Sequence, residues 1–215
     1  MRKDTDDLIE KLARDAAPVK ALPAPLVRAG VFVVLALAVM SAVAAFAGDV
    51  DGTLTKLSDL WFAGSLAGAL IAGIAAVIAA VVLSVPGRSE SWALLPLPGV
   101  VLWLVSSGAE CFQSVAASGW GDGNPFASAA CFRFIVTAGV PLALGIYFVL
   151  RRAVATNLVA VTALGGLGAA MLAAALLQFM HAHGANPIDF ATHVVAVALL
   201  MVVMMTLGRS ALRLA

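Results

Sequence analysis

Six apolar runs, each long enough to cross a bilayer as a helix, decide what this chain can fold into. They extend approximately over Val27–Ala47, Leu60–Val85, Trp92–Gly108, Cys131–Leu150, Asn157–Phe179 and Phe190–Gly208. A helix needs about 20 predominantly apolar residues to span a hydrocarbon core roughly 30 Å thick. The runs lack the alternation of a barrel strand. In lipid every backbone N–H and C=O must be satisfied within the segment, which a helix does alone. The expectation is an all-α polytopic membrane protein, a bundle of six transmembrane helices preceded by a short cytoplasmic amphipathic helix. Composition agrees, since 62% of the residues are hydrophobic and only 12% charged, against about 25% charged in soluble domains. The second run is long enough to tilt or to extend beyond the bilayer.

The connections set the orientation. Arg2, Lys3, Lys11, Arg14, Lys20, Arg28, Arg88, Arg151, Arg152, Arg209 and Arg213 fall on one side, leaving Lys56 and Arg133 for the other. Basic residues are retained in the cytoplasm, so both termini are expected there, with the protein in the bacterial inner membrane. Ala45-Phe46-Ala47 before Gly48 has the spacing of a signal-peptidase site. Yet its apolar run exceeds the roughly 7–15 residues of a signal peptide's core and follows a long basic region, so it reads as a retained span. A net charge of +1 gives no electrostatic case for direct nucleic-acid binding.

Residues 1–26 differ from the rest and form a first unit, ahead of a membrane domain over 27–208 and a cytoplasmic tail over 209–215. Asp4 or Thr5 can cap a helix whose first turn holds Asp6 and Asp7, where the positive end of the dipole favours them. Leu8, Ile9, Leu12 and Ala16 then recur at helical spacing as one narrow stripe, with Glu10 and Arg14 placed as an i, i+4 pair. Pro18 ends the pattern, and Pro23 and Pro25 stiffen the lead into the first span. So short a helix is marginal alone in water. Its stripe needs lipid, the chain's own bundle or a protein partner to lie on.

The spans are rich in small residues. Gly64, Gly68 and Ala72 make a small-xxx-small row, as do Gly165, Ala169 and Ala173, and such rows let helix backbones approach closely. Gly166-Leu167-Gly168 is not a dinucleotide loop, because no soluble strand precedes it. No Asp, Glu, Lys, Arg or His lies in the centre of any run. Proton relays and ion pathways use buried ionisable groups, so a pump is disfavoured. No Ser-His-Asp set or HExxH pattern suggests an enzyme, and nothing calls for a cofactor.

The chemistry-bearing residues collect on the outer side. Cys111 follows the third run and Cys131 opens the fourth, across a glycine-rich loop. An oxidising compartment permits a disulfide there, worth about 3 kcal/mol if unstrained. Two inert thiols or a redox-responsive pair are the other readings. His181, His183 and His193 share that side, and His181 with His183 is a weak candidate for a soft transition metal. Solvated histidines are the simpler reading.

Thr5-Asp6-Asp7-Leu8-Ile9, followed by Leu12-Ala13, Pro18-Val19, Leu22, Pro25 and Arg28, leads into the six spans, and Cys131 with Pro141 and His181 through Pro187 and Phe190 come after. In this pattern the chain resembles the NrsF-type membrane anti-sigma factors. The resemblance covers essentially the whole chain. It implies a regulator that holds an extracytoplasmic-function sigma factor at the membrane until an outside stress, oxidative or heavy-metal, releases it. It implies that the N-terminal segment makes the contact, through Thr5, Asp6, Asp7, Leu8, Ile9 and Leu12, and that outer-face cysteines take part in sensing. Cys131 is similar to the family's first cysteine. The second, a His-Cys-Pro motif after the fifth span, corresponds to His181-Ala182-His183 and is missing, so Cys111 is the remaining candidate partner. The alternative from another class is a small permease or channel subunit, which intramembrane polar residues would betray.

Overall fold

The computed structural model describes residues 2–15, 22–119, 125–153, 157–180 and 187–212. Every element among them is helical: α1 (Arg2–Asp15), α2 (Pro25–Ala47), α3 (Val50–Lys56), α4 (Leu60–Leu83), a 3₁₀ turn (Glu90–Leu94), α5 (Leu97–Ser118), α6 (Pro125–Leu150), α7 (Leu158–Leu177) and α8 (Pro187–Leu212). Six of these, α2 and α4 to α8, are long and apolar enough to cross a membrane.

The starts of the helices follow from local chemistry. Pro25 opens α2 at a position where its missing N–H costs nothing. The Asp59 carboxylate accepts from the N–H groups of Trp61 (2.8 Å) and Phe62 (3.2 Å), capping α4. Asn157 caps α7 by accepting from Ala160 N–H at 3.1 Å. Gly87 (φ 81°) turns the chain after α4 and Gly119 (φ 72°) ends α5, both in the left-handed region that favours glycine.

Two helices form the interior. In α7, 72% of the most apolar window is buried, against 22% in α8. α4 packs against α5 on one side and α7 on the other, and α7 in turn carries α6 and α8. α2 lies at the edge on α4 and touches α6. The row Gly64–Gly68–Ala72 faces α5: a Cβ on Gly68 would stand 2.5 Å from the Trp103 nitrogen, and one on Gly99 2.4 Å from the Ala72 nitrogen. The α4–α7 and α7–α8 contacts use glycines outside the expected rows. A Cβ on Gly73 would meet Leu172 at 2.9 Å, and one on Gly166 would meet the Met201 Cα at 2.7 Å.

Several expected boundaries need correction. The third span opens at Glu90 in a 3₁₀ turn that contains Trp92, and α5 runs on past Gly108 to Ser118. Cys111 therefore lies within α5 rather than after it. α6 starts at Pro125, so Cys131 sits in its second turn instead of opening it. α1 begins at Arg2, which puts Asp4 and Thr5 inside the helix and not at its cap. α8 continues to Leu212, beyond Gly208. The seven-residue α3 has no counterpart among the apolar runs.

Candidate functional site

α1 carries the expected stripe, and none of the described residues covers it. Leu8, Ile9 and Leu12 are 55%, 59% and 62% exposed. Thr5, Asp6 and Asp7 are exposed as well. Arg14 Nη2 meets Glu10 Oε1 at 2.5 Å, the anticipated i, i+4 pair on the charged face. The described part of the bundle gives this helix no support, which leaves lipid or a partner for its stripe. Ala16, the fourth member of the stripe, lies outside the described residues.

One end of the bundle holds both cysteines. Both are free thiols: Cys131 on α6 is buried, and Cys111 on α5 is half-exposed. Asp189, at the start of α8, lies within electrostatic range of Cys131. Phe190 beside it packs on Trp103 of α5, with ring centroids 6.3 Å apart. The α8 start thus stands between the two cysteine-bearing helices. His193 is half-buried one turn further along α8, whereas His181 and His183 lie outside the described residues. Among the described residues, no three of His, Cys, Asp and Glu converge as a metal would need.

Beneath the cysteines runs a buried polar chain. Gln178 Nε2 donates to Ser65 Oγ at 2.9 Å, and Ser65 Oγ shares a 2.8 Å hydrogen bond with Ser107 Oγ. Thr53 Oγ1 of α3 donates to the Asp49 carbonyl at 2.7 Å and reaches the Gln178 carbonyl at 3.4 Å. Asp49 N–H donates to the Phe179 carbonyl at 2.7 Å. These bonds tie the start of α4, the middle of α5 and the end of α7 to the α2–α3 corner. Their groups are satisfied by one another, which is the behaviour of interhelical polar glue and not of a lined passage. It contains no ionisable side chain, being built of hydroxyls, one side-chain amide and backbone groups. Its trace in the sequence is thin: Ser65 within the second run, the pair Ser106-Ser107 in the third and Gln178 near the end of the fifth.

The opposite end is built around Arg28. Its Nη2 donates to the carbonyl of Val149, at the last turn of α6. The nearby carbonyls of Tyr147 and Leu150 take Arg151 N–H (2.9 Å) and Ala153 N–H (3.0 Å), so Arg28 serves a carbonyl that the ending helix leaves over. One turn inward, Phe32 lies on Gly145, where a Cβ would come within 2.9 Å of its ring. These two contacts make an antiparallel seam between α2 and α6. Seam and cysteine share α6, which joins the two ends of the bundle.

The family described as NrsF, negative regulator of sigma F, matches residues 12–214. No curated protein and no solved structure matches the chain.

Proposed function

The chain belongs to the NrsF family of negative regulators of sigma F, and from that premise we propose that it restrains a sigma factor of the extracytoplasmic-function class by holding it on α1. The observation that carries this reading is the bare stripe of Leu8, Ile9 and Leu12 on a helix tied to a membrane bundle. A tethered helix avoids part of the translational entropy cost of association, so three apolar side chains suffice where a free peptide of that length would not. Thr5, Asp6 and Asp7 flank the stripe and supply polar contacts. Residues 1–26 are then the output segment, 27–208 the membrane domain and 209–215 a tail, with both termini in the cytoplasm of a bacterial inner membrane.

The sensing half of the proposal places the stress signal, oxidant or heavy metal, at Cys131 and Cys111. α6 carries Cys131 near one end and accepts Arg28 at the other. Arg28 stands a few residues after the segment that leads to α1, so a shift of α6 reaches the output helix through it. The test uses the full chain purified in detergent. Leu8→Asp with Leu12→Asp should leave the bundle's unfolding midpoint unchanged and lower sigma-factor capture at least about tenfold, the usual scale for removing two anchors of an interface. Undiminished capture by that variant would move the contact to the connections between the spans.

A further inference from the structure

We propose that Arg28 and Arg152, flanked by Arg151, form a binding site for the phosphodiester headgroup of an anionic phospholipid.

Arg28 spends one nitrogen on the Val149 carbonyl, and a guanidinium has five N–H donors in a fixed fork. The other donors are left for an anion. Arg152 follows Val149 by three residues and lies within electrostatic range of Arg28. Arg151 is stacked 4.9 Å over the ring of Phe148. Among the described residues none of these three arginines has a carboxylate within salt-bridge distance, unlike Arg14, which pairs with Glu10. The stretches nearest to them in sequence, 16–21 and 154–156, contain no Asp or Glu either. Two guanidinia held together without a carboxylate repel each other, and a phosphate, which arginine binds bidentately, is the group that offsets this.

The surroundings select a lipid over a soluble anion. Tyr147 and Phe148, with ring centroids 6.0 Å apart, stand at the end of a span, the level where aromatic side chains mark the headgroup layer. Val27 and Val31 beside Arg28, and Phe148 on the facing helix, are exposed. Acyl chains would run along these side chains while the headgroup meets the arginines. The α2–α6 edge is accessible because α2 packs chiefly on α4.

The full chain in a zwitterionic detergent, titrated with phosphatidylglycerol or phosphatidylcholine and read by native mass spectrometry, tests the site. The wild-type chain should retain phosphatidylglycerol in preference to phosphatidylcholine, and Arg28→Gln and Arg152→Gln should each weaken that retention about fivefold. Arg88→Gln, which removes the same charge from another connection, should leave it unchanged. Arg152 is exposed, so its variant folds even if Arg28→Gln does not. Equal loss in the Arg88 variant would reduce the effect to diffuse charge and overturn the proposal. So would unchanged retention in the Arg152 variant, or displacement of the lipid by millimolar inorganic phosphate.

Discussion

Gly68 lies against the backbone of Trp103 so closely that even one methyl group must displace a helix. Gly68→Val should therefore lower the bundle's stability by about 1–3 kcal/mol, the range for overpacking a filled interior, read by denaturant titration in detergent. An equal change at Gly30, which has nothing within 4 Å, should cost far less. The comparison separates close packing from loss of glycine's flexibility. The cysteines differ in the same local way. Cys131 is buried and Cys111 half-exposed, so a water-soluble maleimide should modify Cys111 first, by an order of magnitude or more in rate. Faster labelling of Cys131 would mean that the α6 start opens in solution.

At the scale of the element, α6 is the helix that touches both ends of the proposed mechanism. Cys131→Ser should reduce the response to oxidant while leaving basal repression in place, and Cys111→Ser should match it if the two thiols act as one unit, the double variant adding little. A reporter of the sigma factor's regulon reads both states. A normal response in Cys131→Ser would take the thiol out of the mechanism and direct attention to His181 and His183. Periodicity alone carried much of this element's neighbourhood. The row Gly64–Gly68–Ala72 could be read as an interface because one face of α4 repeats small residues every fourth position. Gly73, Gly166 and Gly168 were not legible, since an interior helix buries several faces and no single row tells which neighbour each serves. The end of α5 escaped for another reason. Hydropathy falls at Gly108, but Ala109 to Ser118 still favour a helix, and an apolar count reports the lipid boundary rather than the last helical turn. α3 is too short, at seven residues, to announce itself by period. Arg28 looked like one more basic flank; its bond to Val149 depends on two helices meeting 121 positions apart.

For the whole molecule, the basic residues predict that reporter fusions after Arg88, Arg152 and Ala215 read cytoplasmic, and fusions at Gly52, Gly121 and Gly184 read periplasmic. A periplasmic C-terminus would require an odd number of crossings and would remove one of the six long helices from the membrane. The burial of α7 has a consequence in time. It is the fifth of the six spans to leave the ribosome, yet α4, α6 and α8 pack against it. Synthesis at about 5–20 residues per second puts roughly 10–30 s between the emergence of α1 and that of α7. Through that interval the nascent chain displays α1, the output helix of the proposal, while the bundle has no centre. On the proposed reading, a newly made molecule is able to capture its partner before it is able to hear a signal, and a cell that makes more of the protein deepens repression first and gains sensitivity only afterwards.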